Sequence, residues 1–126
     1  MVKACLLPKD EYVVLRAVYD YVIEPQNELW MSEIVRRAFM YKYGIKEEDL
    51  NNRLVKIMVN SDSRRLFDAL ARVAYRLEKL GIVKTMEEGR LVYIVPKKKI
   101  TWLELLDVYV EGVWREVSGS NAEGKD

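Results

Sequence analysis

Basic side chains in residues 62–80 recur at spacings that place them on one side of a helix. The four that share this side are Arg65, Arg72, Arg76 and Lys79. They fall within an arc of about 60° when successive residues are set about 100° apart. Arg64 lies near the centre of the outward face, where a helix in a DNA groove meets base edges, and the four cations would neutralise phosphates. The alternative is that they are solvated helix residues, some of them paired with Glu78 or Asp68.

Most of the residue types on which enzymes and metal sites depend are missing or isolated. The chain has no histidine and one cysteine, Cys5, so imidazole-based catalysis, zinc sites and an internal disulfide are excluded. The glycine-rich phosphate-binding motifs are also missing. Glu47, Glu48 and Asp49 suit the first turn of a helix, where the dipole favours acidic groups. We therefore expect no catalytic residue, no metal site and no cofactor.

Composition predicts one folded domain with a charge that is unevenly distributed. The 126 residues are 50% hydrophobic and 33% charged, and no segment has the roughly 20 apolar residues of a membrane span. We expect a cytoplasmic protein that does not enter a membrane. Residues 61–100 contain ten Lys/Arg and five Asp/Glu, a net +5, whereas residues 101–126 contain two and six, a net −4. The positive segment would attract a polyanion.

Hydrophobic periodicity predicts a mainly α protein with a two-stranded β-hairpin. The predicted helices span 10–23, 32–43, 46–59, 62–80 and 101–117, and the predicted strands span 82–86 and 90–95. A short extended piece is predicted at 29–31, before the second helix. Ser32 is the expected N-cap of the second helix, and Gly44 its end. Asn60 and Ser61 are expected to separate the third helix from the fourth. The link Glu87-Glu88-Gly89 is expected to form a three-residue turn.

The buried face of the longest predicted helix and the start of the last one are strongly patterned. The buried face would contain Leu66, Leu70, Val73, Leu77 and Leu80. Thr101 and Glu104 form a capping box at the start of the last helix.

The last predicted helix has more apolar surface than packing on one small domain requires. We expect it to form the interface of a homodimer, which would present two reading helices to two DNA half-sites. The expected interface residues are Trp102, Leu106, Tyr109, Val110, Val113 and Trp114. In the alternative, one side of this helix packs on helix 10–23 and the rest covers the predicted helix 46–59.

The stretches LWMSEIVRRA at 29–38 and LARVAYRLEKLGIVKTMEEGRLVYIV at 70–95 resemble the winged-helix (winged helix-turn-helix) family of DNA-binding domains. The second stretch is similar to the family's recognition helix running into its wing, with Gly81 and Gly89 at the expected places. The resemblance covers roughly residues 10–95.

This resemblance implies a winged-helix domain with 62–80 as the recognition helix and 82–95 as the wing. Wing cations would then add to those of the helix. The expected DNA-binding residues are Arg64, Arg65, Arg72, Arg76, Lys79, Lys84 and Arg90. The sequence departs from the family at the extra helix 46–59, which is either an insertion or the helix that precedes the recognition helix. It also departs at Glu87 and Glu88, which phosphates would repel.

These patterns predict a mainly α domain with a C-terminal helix, and the resemblance implies that it is a winged-helix domain with an extra helix. The expected divisions are a winged-helix domain at 1–100, a C-terminal dimerisation helix at 101–117 and a disordered tail at 118–126. The expected function is that of a dimeric double-stranded DNA-binding protein, a non-enzymatic transcriptional regulator. The alternative is a winged-helix protein–protein interaction module or a subunit of a larger nucleic-acid machine.

Overall fold

The computed structural model describes residues 7–123, with the side chains of 118–123 excepted. The chain is mainly helical, and its layout is compatible with a winged-helix-like arrangement. Its elements are α1 (Lys9–Val18, continued by a π-helical turn at Tyr19–Ile23), β1 (Leu29–Trp30), α2 (Met31–Tyr43), a 3₁₀ turn (Glu47–Asn51), α3 (Arg53–Lys79), β2 (Val83–Glu88), β3 (Leu91–Pro96) and α4 (Trp102–Glu123). The mainly helical character predicted from the sequence is confirmed.

The predicted two-stranded hairpin is part of a three-stranded antiparallel sheet in the order β1-β3-β2. Leu29 pairs with Ile94, and Trp30 pairs with Tyr93. The rings of Trp30 and Tyr93 also meet edge to face, with their centroids 5.2 Å apart, which is a geometry that aromatic pairs prefer. A strand of two residues has too little alternation to be recognised as paired in a sequence.

The hairpin turn is shorter than predicted. Glu88 pairs with Leu91, so the connection consists of Gly89 and Arg90 rather than of Glu87, Glu88 and Gly89. Gly89 has a φ of 63°, which glycine adopts without steric cost. A two-residue turn matches the right-handed twist of the strands and accepts a glycine at its first position.

The predicted helices 46–59 and 62–80 are wrong as separate elements, because α3 runs without interruption from Arg53 to Lys79. Asn60 and Ser61 lie inside the helix. Neither is proline or glycine, so each lowers helix stability by less than about 1 kcal/mol. The Ser61 hydroxyl donates to the Met58 carbonyl at 3.0 Å and therefore has a partner without leaving the helix. Since residues 53–59 belong to the same helix as 62–79, the alternative that a separate helix 46–59 precedes the recognition helix is excluded.

Most of the predicted core is confirmed. Leu66, Leu70, Val73 and Leu77 of α3 are fully buried. Leu80 was expected to join them, but it is 41% exposed, because it ends the helix before Gly81, whose φ is 74°.

The starts and ends of α2 and α4 agree only in part with those predicted from the sequence. Helix α2 begins at Met31 with Trp30 as its N-cap, not at the predicted cap Ser32, and it ends as predicted at Gly44. At α4, the Thr101 hydroxyl accepts a hydrogen bond from the Glu104 N–H at 3.3 Å and donates to its carboxylate at 2.8 Å, so the expected cap is present. Helix α4 extends to Glu123, past the predicted end at Val117, and the remainder of the predicted tail, 124–126, lies outside the described residues.

None of the described helices is both long and apolar enough to span a bilayer.

Candidate nucleic-acid interface

The solvent face of α3 carries most of the cations predicted from the sequence. Four of them are exposed: Arg64, Arg65, Arg72 and Lys79. They project away from the leucines that fill the core, because the helix buries its opposite side against α1 and α2. In the part of the chain that the structure describes, Arg64, Arg65 and Lys79 make no ion pair. The Lys79 ammonium lies 5.3 Å from the centroid of the Tyr75 ring, a cation–π distance.

Arg76 was predicted to join this face, and the structure contradicts that prediction. Its side chain is only 19% exposed. One terminal nitrogen of its guanidinium, Nη1, donates to Glu11 at 2.5 Å and to the Tyr109 hydroxyl at 2.9 Å. The Nε atom donates to Glu116 at 3.2 Å. Arg76 therefore joins α3 to α1 and α4 and is not available to a phosphate.

Electrostatics around Arg76 agree with an internal structural role. Burial alone would lower the pKa of Arg76, but the hydrogen bond to Tyr109 and the charges of Glu11 and Glu116 raise it above its ordinary value. Burial also raises the pKa of Tyr109, against the opposing effect of Arg76. Glu11 itself is only 6% exposed, and a buried carboxylate of this kind requires charged partners.

Arg72 divides its side chain between this cluster and the solvent. Its Nε atom lies 3.5 Å from the second oxygen of Glu11, and the side chain is 49% exposed. A half-exposed ion pair at that distance contributes little to stability. Arg72 can therefore turn toward an external anion at small cost, which Arg76 cannot.

The hairpin presents the two predicted wing cations to solvent. Lys84 on β2 and Arg90 in the turn are both exposed. The acidic residues Glu87 and Glu88 are exposed as well. The Thr85 hydroxyl donates to Glu78 of α3 at 3.0 Å, and this bond fixes β2 against the C-terminal part of the helix.

A polar cluster at the middle of α3 fixes the helix against α2. The Lys42 ammonium lies 2.9 Å from Asp62 and 2.8 Å from Asp10, and the Tyr43 hydroxyl donates to Asp62 at 2.9 Å. Burial would raise the pKa of Asp62, but hydrogen bonds from Lys42 and Tyr43 outweigh it and lower the pKa. Burial would lower the pKa of Lys42, and the bonds to Asp10 and Asp62 raise it instead. These contacts set the position from which the cations of α3 project.

The residues predicted to form a dimer interface on α4 have different environments. Tyr109 and Val110 are 0% and 1% exposed, so they belong to the chain's own core and the prediction is wrong for them. The Trp102 ring is half-buried and packs edge to face on Tyr12 and Tyr19 at 5.9 and 5.5 Å.

Part of the α4 surface nevertheless remains uncovered. Leu106 and Val113 are half-buried, and Trp114 is 51% exposed. Leu103 and Val117, at 66% and 54%, lie on the same edge of the helix as Trp114 by their spacing. We call these three residues, Leu103, Trp114 and Val117, the α4 edge.

Sequence reasoning missed a second apolar surface, on the first third of α3. Leu54, Ile57 and Met58 are 71%, 59% and 40% exposed. Their spacing i, i+3, i+4 is the signal that would have revealed one helix face, but the expected break at Asn60 and Ser61 assigned them to another helix. Tyr75, 61% exposed beside the cations, was also not counted as a site residue.

Within residues 7–117, no three acidic or cysteine side chains are grouped closely enough to hold a metal ion. Comparison of the chain with family models, with curated proteins and with solved structures finds no match.

Proposed function

We propose that the chain is a dimeric double-stranded DNA-binding protein with a winged-helix domain, and that it acts as a cytoplasmic transcriptional regulator without enzymatic activity. In this proposal α3 enters the major groove, and the β2–β3 hairpin contacts the adjacent backbone as a wing. The support from the fold is the element order α1-β1-α2-α3-β2-β3 with a sheet ordered β1-β3-β2, which is compatible with that arrangement.

The observation that carries the proposal is the exposed cationic face of α3. Arg64, Arg65, Arg72 and Lys79 are held on a helix whose opposite side is fully packed. A rigid helix of 27 residues is about 40 Å long, and the groove of B-DNA admits a helix. Lys84 and Arg90 on the hairpin would add phosphate contacts, whereas Arg76 has no part in binding.

Affinity measurements on paired variants test the assignment. At about 100 mM salt, Arg64→Ala combined with Arg65→Ala should weaken binding to a double-stranded oligonucleotide about tenfold or more, because one phosphate contact and one contact to base edges are lost. Arg115→Ala is the matched control, since this arginine of α4 is 79% exposed and lies outside the proposed interface. Equal affinities for the double variant and the control would overturn the proposal.

The α4 edge supports the dimeric part of the proposal. Large apolar side chains that remain exposed in a grouped patch are typical of interfaces, and tryptophan is a common anchor. Pairing of two α4 edges would bury Trp114 and place two α3 helices on one assembly. Sedimentation should detect a dimer for the parent chain and a monomer for Trp114→Glu. A monomeric parent chain at micromolar concentration would contradict the dimer.

A protein–protein interaction module is the second candidate, and the exposed apolar residues of α3 favour it. Leu54, Ile57 and Met58 are too apolar for a helix that only meets phosphates and base edges. If this surface is the main functional one, Leu54→Ser with Ile57→Ser would abolish the chain's biological role while DNA affinity stays unchanged. If the chain functions through DNA, Arg64→Ala with Arg65→Ala would impair its biological role more than Leu54→Ser with Ile57→Ser.

A further inference from the structure

A groove between α2 and α3 lies on a side of α3 that differs from the cationic face. Its volume is about 360 Å³, within the range of roughly 300–1,000 Å³ for small-molecule sites. Val35 and Phe39 of α2 form its floor and are 4% and 1% exposed. Leu50 of the 3₁₀ turn and Val59 of α3 are half-buried and also line it.

An exposed aromatic ring contributes to the same groove. Phe67 is 40% exposed, although Leu66 before it and Leu70 one turn later are fully buried. A phenyl group on the wall of an apolar groove gains free energy when an apolar ligand removes it from water. The lining therefore favours a ligand with an apolar body.

One of the two cations that line the groove has no acidic partner within the described residues. Lys56 lines the groove, is exposed, and has no acidic partner within the described residues. Arg36 also lines it, but its guanidinium is shared by Glu33 at 3.6 Å and Glu47 at 3.1 Å. Lys56 is thus the cation left for a ligand, and the Asn60 side chain beside it offers neutral hydrogen bonding.

We propose that this groove binds a small amphipathic monocarboxylate, with its alkyl or aryl body between Phe39 and Phe67 and its carboxylate at Lys56. The surface of the groove is mainly apolar although Ser32 and Ser63 also line it, as in sites that orient a ligand by one charge. A ligand held there contacts α2, the 3₁₀ turn and α3 together, and so would stabilise the first half of α3 against α2. The inference does not depend on DNA binding, and its test requires no DNA.

Titration of the full chain with three eight-carbon probes tests the charge preference. Octanoate, 1-octanol and octylamine share one tail and differ in charge, and their binding is followed by NMR shifts of the Val35 and Val59 methyl groups. We expect saturable shifts with octanoate, weaker ones with 1-octanol and the weakest with octylamine. Octylamine binding as tightly as octanoate, or shifts that never saturate, would overturn the proposal.

Three variants locate the site. Asn60→Trp places a large side chain in the groove from an exposed position, where it should not disturb the core, and we expect it to abolish octanoate shifts. Lys56→Gln should weaken octanoate binding up to about fivefold and leave 1-octanol unaffected. Ile57→Ser is the matched control, because Ile57 is exposed on α3 outside the groove. Octanoate binding that falls in Ile57→Ser but persists in Asn60→Trp would refute the location.

Discussion

Replacement of Arg76 by alanine tests whether this residue supports the fold rather than binding DNA. The change removes hydrogen bonds to Glu11, Tyr109 and Glu116. It leaves the 6% exposed Glu11 with the Tyr109 hydroxyl at 3.0 Å and the more distant Arg72 as its partners. Breaking a buried pair by removing one partner costs about 3–5 kcal/mol. Because Arg72 still faces Glu11, we expect the lower end, about 3 kcal/mol.

That loss is measurable as a shift in the melting temperature. With an unfolding entropy of about 2.1 cal/mol/K per residue, 126 residues give a fall of about 10 °C for Arg76→Ala. Arg72→Ala is the matched control, because its pair with Glu11 is longer and its side chain 49% exposed. It should cost less than about 1 kcal/mol, which corresponds to a fall of less than about 4 °C.

A double variant separates the loss of contacts from the exposure of a lone buried charge. If the cost arises mainly because Glu11 is left buried and ionised, Glu11→Gln combined with Arg76→Ala should recover at least about 1 kcal/mol relative to Arg76→Ala. Urea unfolding at pH 7 gives both free energies. Equal stability of Arg76→Ala and Arg72→Ala would refute the structural role of Arg76.

Further perturbations test the backbone and the charge cluster on α2 and α3. Ser61→Pro should lower the free energy of unfolding by about 3 kcal/mol, because α3 is continuous there, whereas a break at that position would tolerate it; urea unfolding decides. Gly89→Ala, at a φ of 63°, should destabilise by about 1 kcal/mol, and Gly112→Ala in helix α4, where an added methyl meets open space, should stabilise by up to about 1 kcal/mol; calorimetry that ranks them in the reverse order would contradict the turn. Asp62 has a folded pKa below its ordinary 3.8, so its stabilising effect is complete above about pH 4 and is lost as pH falls through the folded pKa. Asp62→Asn should accordingly flatten the acid limb of the stability curve, and an unchanged limb would rule out this linkage.

The sequence predicted the elements with strong periodicity and failed where long-range contacts decide. The core leucines of α3 and the capping residues Thr101 and Glu104 depend on local spacing, so they were predicted correctly. The extended piece expected at 29–31 is present as β1, but its pairing with β3 was missed because two residues show too little alternation to indicate a paired strand. The expected break at Ser61 was wrong because the preference of serine against a helix is weak compared with the packing that surrounds Asp62 and Leu66.

Only the features of the candidate site that a helical wheel can show were predicted from the sequence. A wheel assigns Arg72 and Arg76 to one flank, yet it contains no information about neighbouring helices. Glu11 of α1 and Tyr109 of α4 come from the two ends of the chain, and only the fold brings them to Arg76. The same limitation explains why Tyr109 and Val110 were expected at an interface, since an apolar half-circumference does not reveal which part the core covers.

The salt dependence of DNA affinity tests the central claim most directly. If the exposed cations of α3 and the hairpin contact phosphates, the logarithm of the binding constant should fall with the logarithm of salt concentration with a slope of about −5. Arg64→Ala with Arg65→Ala should reduce the steepness by about 1, because Arg65 would face a phosphate and Arg64 base edges. A parent slope near zero, or a double variant with the slope of the parent chain, would contradict the assignment of this face to DNA.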